Sequence, residues 1–231
     1  MPKFSRSIRD SADRTRRSLR RVAAVGAMLG WAALLLQFWL TMRRTVAGGG
    51  SMLDGVATYL AFFTILTNIL AAITLSVAAR PAPAGARGFF RRASVRSGIA
   101  LSMLVVGIVY NLLLRGLWEP RGWQLAADLV LHDIMPVVYA GFWLLAVRGA
   151  GLEWRDIPRW LVYPVAYFAC AVTRGSLTGV YPYPFIDVAS LGPGRVLFNA
   201  VAMLVGFVAL GAVLIMIDRL RFEARAASLQ A

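Results

Sequence analysis

The side chains that could do chemistry in this sequence are polar residues within long apolar stretches. His132, the only histidine, is followed directly by Asp133. Adjacent helical positions point about 100° apart, so the two side chains cannot both face lipid comfortably. Ionisable groups inside a membrane are costly and usually functional, and an imidazole titrates near neutral pH. The sequence therefore predicts a functional role for His132.

A second set of polar residues recurs at helical spacing. Thr64, Thr67 and Asn68 follow the i, i+3, i+4 pattern of one helix face. Such a polar face could line a functional site. The alternative for Thr67 and Asn68 is a purely structural hydrogen bond, either to the carbonyl four residues earlier in the same helix or to a neighbouring helix. Three further residues near the ends of apolar stretches have similar alternatives, interhelical bonding or contact with lipid headgroups: Asn111, Arg174 and Asn199.

Six apolar segments must position these residues, each near the roughly 20 residues that cross a bilayer, although the third and fifth are short. The predicted spans are Val22–Met42, Val56–Ala79, Gly98–Leu114, Leu125–Val147, Trp160–Val172 and Val196–Ile217. The fold class predicted is an all-α, polytopic bundle of six transmembrane helices over 22–217. A basic, disordered arm at 1–21 precedes it and a short tail at 218–231 follows. The Pro81–Arg87 linker cannot continue a helix.

The distribution of basic residues predicts the orientation of the bundle. The N-terminal arm, the second and fourth loops and the tail carry 19 Lys and Arg, against 6 in the other three loops. The positive-inside rule then predicts a multi-pass cell-membrane protein with both termini in the cytoplasm.

This orientation also gives the depth of two polar residues. At 1.5 Å per residue, Thr64 and His132 lie ~12 Å and ~10 Å below the outer surface. A polar cavity that opens to the outer leaflet is the simplest interpretation.

Composition narrows the function classes further. The net charge is +14, but the basic residues flank apolar spans, which favours membrane lipids over nucleic acid as partners. A single cysteine, Cys170, excludes an internal disulfide and a multi-cysteine metal site. A single histidine likewise excludes bis-histidine haem within one chain. We expect no cofactor and no metal, and the sequence does not specify an oligomeric state.

Three stretches resemble a known membrane family. Phe62–Asn68 (FFTILTN) and Leu131–Pro136 (LHDIMP) are similar to signature segments of a bacterial six-span family. That family in turn resembles the eukaryotic androgen-induced, six-span fatty-acid-ester hydrolases. The third stretch, Thr178–Phe185 (TGVYPYPF) followed by Gly192–Arg195 (GPGR), is similar to the loop between the fifth and sixth spans of the bacterial family. The resemblance covers the chain from the second predicted helix to the sixth.

The resemblance implies a catalytic pair, Thr64 and His132, that hydrolyses esters of hydroxy fatty acids. The spacing from His132 to the following proline is one residue shorter than in the eukaryotic proteins. His132 would accept the Thr64 proton, an acyl-enzyme would form, and water would complete the reaction. Asp133 cannot orient the ring of its own neighbour, so a third member is expected from another helix. Asn68 and Asn111 are candidates to stabilise the oxyanion.

Two functions of other classes remain open at this point. One is non-enzymatic binding or transport of a lipid or small solute, although the sequence lacks the internal repeat common in transporters. The other is a structural or assembly role, in which the basic arm docks acidic lipid or protein.

Overall fold

A computed structural model describes residues 2–81 and 88–230, with side chains over 17–81 and 88–224. The described residues form helices and connecting turns without strands. The helices are α1 (Pro2–Ala47), α2 (Met52–Leu60), α3 (Phe63–Ala79), α4 (Ala93–Val109), α5 (Trp123–Leu129), α6 (Met135–Ala146), α7 (Asp156–Thr178) and α8 (Val188–Gln230). The predicted all-α class is confirmed.

Four stretches of the described residues are long and apolar enough to cross a membrane: Arg17–Ala47, Ala93–Leu117, Trp123–Ala146 and Val188–Ala224. The pair α2 and α3 meets the same criterion jointly but is bent by 78°. These helices fit an integral membrane protein with four spans, or five if the bent pair crosses as one. The predicted fifth span, Trp160–Val172, lies within α7, which is not in this set, so the count of six stays a prediction.

Helix α4 occupies the centre of the bundle. It contacts α3, α6, α7 and α8, and its residues from Ser97 to Val106 are mostly buried. Small residues allow the neighbouring helices to approach closely, as is common where helices pack in membranes. A side chain at Gly98 would overlap the ring of Trp160, and one at Gly30 of α1 would meet Met135. The bundle core is therefore packed around α4.

The N-terminal end of the chain differs from the sequence prediction. The backbone of α1 is helical from Pro2, whereas we predicted a disordered arm over 1–21. Helix propagation from an apolar segment costs little once the helix is nucleated, and the arm is rich in arginine, a good helix former. Helix α8 continues into the predicted tail as far as Gln230, and no disorder was predicted there. The linker residues 82–87 lie outside the described residues.

Two π-helical turns interrupt the long helices where α4 and the α5–α6 helix face one another. Tyr110–Leu114 extends α4, and Val130–Ile134 joins α5 to α6. Pro136 has no backbone N–H and cannot pair with the carbonyl of His132, so a regular helix cannot form there. The wider turn instead pairs the Met135 N–H with the Val130 carbonyl. Single-turn π-bulges of this kind are frequent at functional sites.

The loop between α7 and α8 folds back onto the bundle. Gly179 ends α7 in a left-handed conformation (φ 73°), and Gly192 (φ 76°) breaks the first turn of α8 immediately before Pro193. Both positions favour glycine because other residues are strained at positive φ. Between them the chain forms a short 3-10 turn over Pro184–Ile186.

Substitution of Gly175 tests how closely the loop between α7 and α8 packs against α7. A methyl group at Gly175 would overlap the Tyr181 ring, whereas one at Gly206 of α8 has nothing within 4 Å. We expect Gly175→Ala to destabilise the protein by about 1–3 kcal/mol through overpacking. Gly206→Ala should leave stability unchanged or raise it, since alanine is the better helix former. Thermal unfolding of both variants in detergent checks this, and equal midpoints would contradict the loop packing.

Candidate functional site

Two adjoining cavities lie within the bundle. The first, of about 360 Å³, has both Thr64 and His132 in its wall, together with polar side chains that include Gln37, Thr41, Arg44 and Asp128. We call it the polar cavity. The second, of about 280 Å³, has a wall of almost entirely apolar residues and is called the apolar cavity; it includes Phe63, Val105, Val106, Leu197 and Phe207. Four residues line both cavities: Thr64, Tyr110, Leu114 and Tyr183.

Thr64 is the second residue of α3, directly after the bend that separates α3 from α2. The bend occurs at Phe62, whose backbone is extended (φ −91°, ψ 130°). The first N–H groups of a helix have no partner within it, and they create a positive potential at its N-terminus. The Thr64 N–H donates a hydrogen bond to the Tyr183 hydroxyl at 3.4 Å. A developing negative charge on the Thr64 hydroxyl is therefore stabilised by its position.

His132 lies in the π-turn between α5 and α6 with its ring held on one face. The ring stacks on that of Tyr110, with centroids 3.9 Å apart and planes 17° from parallel. Nδ1 is 3.0 Å from the backbone carbonyl of Asp128. A carbonyl can only accept a hydrogen bond, so Nδ1 carries the proton and Nε2 is the basic nitrogen. His132 thus has the tautomer that a general base requires.

Asp128 is the residue that the sequence analysis missed. Its carboxylate is buried, accepts a hydrogen bond from the Tyr110 hydroxyl, and places Oδ1 3.2 Å from His132 Nδ1. The second contact lacks hydrogen-bond geometry, so it is an electrostatic contact at this distance. We expected a third member of the catalytic set from another helix, whereas the carboxylate that contacts the His132 ring in the described residues precedes it by four residues on the same helix. The i, i+4 spacing was the signal available in the sequence.

Asn68 connects the segments that carry Thr64 and His132. Its Nδ2 donates to the carbonyl of Thr64 at 2.9 Å and to the carbonyl of Leu131 at 3.1 Å. Leu131 precedes His132, and its carbonyl is available because the π-turn pairs Met135 with Val130 instead. Both amide protons of Asn68 are therefore engaged, which leaves none for the oxyanion. Asn68 acts on the site through the backbone that it holds.

Three other predicted site residues lie outside both cavities and hold the surrounding structure. Thr67 is fully buried and its hydroxyl lies 2.9 Å from that of Tyr163, which joins α3 to α7. Asn199 donates to the Phe185 carbonyl at 2.8 Å, and Arg174 donates to the Val180 carbonyl at 3.3 Å. The last two bonds fix the loop between α7 and α8, which carries Tyr183.

Asn111 and Asp133 also lie outside the cavities, on the outer surface of the bundle. Arg115 Nη2 is 2.5 Å from Asp133 Oδ1, and Asn111 Nδ2 donates to the same oxygen at 2.9 Å. The cluster links the two π-turns across neighbouring helices. Asn111 thus lines neither cavity, so it lacks the place that an oxyanion donor needs, and the charge of Asp133 is neutralised by Arg115.

The site combines a hydroxyl, an imidazole and a carboxylate at one cavity. In described contacts, Thr64 and His132 share the cavity wall without a direct hydrogen bond between them. Such a set can transfer a proton from a hydroxyl or water to Nε2, with the positive charge balanced by Asp128. Comparisons with protein-family models, curated proteins and solved structures find no match for this chain.

The Asn68 bridge makes a testable contribution to stability. Asn68→Ala leaves the Leu131 carbonyl buried without a partner, which costs about 1–3 kcal/mol. Ser102→Ala in α4 is the matched control, because that buried hydroxyl bonds only to the Gly98 carbonyl of its own helix. Thermal unfolding in detergent should show the larger loss for Asn68→Ala. A loss no greater than that of Ser102→Ala would mean that the bridge does not hold the two segments together.

Proposed function

We propose that this protein is an intramembrane hydrolase of lipid esters, with Thr64 as nucleophile and His132 as general base. The observation that carries the proposal is the shared cavity wall of Thr64 and His132, with Nδ1 of the imidazole held at Asp128. The resemblance of the segments around both residues to the fatty-acid-ester hydrolases supports the same pairing. Asp128 orients the ring and balances the charge of the imidazolium.

The reaction has two halves. The Thr64 oxygen attacks the ester carbonyl as its proton passes to His132 Nε2, and the carbonyl electron pair moves onto the carbonyl oxygen. Collapse of this intermediate breaks the ester bond, and the departing alkoxide takes the proton from Nε2. Water then attacks the acyl-threonine, gives a proton to Nε2, and releases the fatty acid as the proton returns to Thr64.

The two cavities favour a lipid-like substrate. An acyl chain fits the apolar cavity, whose wall offers it almost no polar atoms, and transfer of each methylene from water is worth about 0.8 kcal/mol. Because Thr64 lines both cavities, the ester group lies at the wall they share while the alcohol side extends into the polar cavity. Esters of hydroxy fatty acids, the substrate class implied by the resemblance, have this division into two arms.

We also propose six spans in the cell membrane with both termini in the cytoplasm. The asymmetry of Lys and Arg between alternate loops supports it. The 23 residues of α7 extend roughly 34 Å at 1.5 Å per residue, enough to cross a hydrocarbon core. With α2 and α3 taken as one bent span, α7 supplies the sixth.

Reporter fusions test this topology. Alkaline phosphatase, which is active only outside the cytoplasm, should be active when inserted after Gly179 and inactive when fused to the C-terminus. Green fluorescent protein, which folds in the cytoplasm, should show the opposite pattern and controls for expression. An active phosphatase at the C-terminus would refute an even number of spans with the N-terminus inside.

Non-enzymatic lipid binding is the second candidate function. It is favoured by the lack of a direct hydrogen bond between Thr64 and His132 in the described contacts, since a binding protein needs the cavities alone. A hydroxyl-specific probe and an ester substrate distinguish the two functions, because only a hydrolase is labelled at Thr64 and turns over the ester.

Single substitutions separate the two functions. We expect Thr64→Ala and His132→Ala to lower turnover of hydroxy-fatty-acid esters at least roughly 1000-fold, because each removes a member of one catalytic unit. Thr41→Ala is the control, since Thr41 lines the same cavity and bonds only within α1. A lipophilic fluorophosphonate should label the wild type and Thr41→Ala at Thr64. Equal turnover by wild type and Thr64→Ala would end the enzyme proposal.

A further inference from the structure

Tyr183 is held rigidly at the boundary of the two cavities. It lies in the loop between α7 and α8, where its ring stacks on that of Phe185, with centroids 5.2 Å apart and planes 8° from parallel. The ring of Phe62 meets it edge-on at 5.8 Å. These two contacts fix the ring while the hydroxyl reaches the N-terminus of α3. The packing of the ring and the hydrogen bond from the Thr64 N–H therefore position the hydroxyl together.

The Tyr183 hydroxyl lies among the polar groups at the N-terminus of α3. Its oxygen accepts the Thr64 N–H at 3.4 Å, and the hydroxyls of Thr64 and Tyr167 are its neighbours. Tyr167 donates its own proton to the Ala61 carbonyl at 2.8 Å. The Tyr183 O–H is thus a donor beside the Thr64 hydroxyl, where the carbonyl of an ester under attack has to lie.

The other tyrosines of the polar cavity are already engaged. Tyr59 donates its proton to the Leu34 carbonyl at 2.9 Å, and Tyr110 donates its proton to the Asp128 carboxylate. Both amide protons of Asn68 are bound to backbone carbonyls, and Asn111 lies outside the cavities. Among these candidates, Tyr183 alone combines a place in the walls of both cavities with a hydroxyl that contacts Thr64 and is not bonded to a carbonyl or carboxylate in the described contacts.

We propose that Tyr183 is a further catalytic residue, whose hydroxyl donates a hydrogen bond to the ester oxygen that becomes negative as Thr64 attacks. The proposal rests on the proposed hydrolase function and assigns its oxyanion site. When the bond from the Thr64 oxygen to the carbonyl carbon forms, the electron pair of the C=O double bond moves onto that oxygen. The proton of Thr64 passes to His132 Nε2, and Tyr183 keeps its own proton throughout.

The hydrogen bond from the Thr64 N–H strengthens Tyr183 as a donor. An oxygen that accepts a hydrogen bond from the positive end of a helix has a more polarised O–H, because hydrogen bonds in a chain reinforce one another. The helix N-terminus thus acts on the oxyanion through the phenol. A donor held in place before the reaction stabilises the transition state without reorganisation.

Tyr183→Phe tests the proposal with the ring contacts retained. We expect kcat for a hydroxy-fatty-acid ester to fall roughly 100-fold, the loss typical of one oxyanion donor, with KM nearly unchanged. Affinity for a trifluoromethyl ketone of the same chain, which forms a tetrahedral adduct, should fall in parallel. Tyr181→Phe is the control, because Tyr181 lies in the same loop but in neither cavity wall. 3-Fluorotyrosine at position 183 retains the O–H and should restore kcat even if Tyr183→Phe is less stable.

The outcomes separate this proposal from the function on which it rests. If the wild type hydrolyses the ester, Thr64→Ala is inactive and Tyr183→Phe keeps its kcat, Tyr183 is not the donor and the hydrolase stands. If 3-fluorotyrosine at 183 is as slow as phenylalanine, the O–H is not what matters and the proposal is likewise overturned. If the wild type neither turns over the ester nor is labelled at Thr64, both proposals are wrong.

Discussion

The hydrogen bonds of one amide, that of Asn68, hold together the parts of the candidate site. Pro136 prevents a regular helix after His132, and the π-turn that results leaves the Leu131 carbonyl without its usual partner. A backbone carbonyl in a membrane interior must be satisfied within the protein. Asn68 satisfies it and bonds the Thr64 carbonyl as well. The backbone beside the hydroxyl and the backbone beside the imidazole are thus joined through one side chain.

Two carboxylates close to the same π-turn lie on different sides of the helix. Asp128 faces inward, where it meets the Tyr110 hydroxyl and His132 Nδ1. Asp133 faces outward, where Arg115 neutralises it. A buried carboxylate is stable only with charge or hydrogen-bond partners, and each has its own. The imidazole is therefore influenced by one inward negative charge, although a second carboxylate is its direct neighbour in sequence.

The apolar runs in the sequence predicted most of the helices. The positions of Thr64 and His132 within those runs predicted that the two residues share a cavity. Apolar runs and positions within them are properties of the local sequence. Asp128 was readable from its i, i+4 spacing, but the π-turn over Val130–Ile134 is not indicated by any periodicity. Tyr183 belongs to a motif that the sequence analysis singled out. Its contact with Thr64, however, joins residues 119 positions apart. Such long-range contacts follow from packing of the whole bundle.

In the proposed hydrolase, the shared wall of the two cavities determines which bond of a substrate can react. Thr64, Tyr110 and Tyr183 line both cavities, so a group that passes from one cavity to the other lies beside all three. An ester with two long arms places its carbonyl there when one arm fills the apolar cavity. Under the proposed mechanism, the alcohol then departs through the polar cavity, while the acyl group stays beside Thr64. The order of product release in that mechanism follows from where the α3 N-terminus divides the interior.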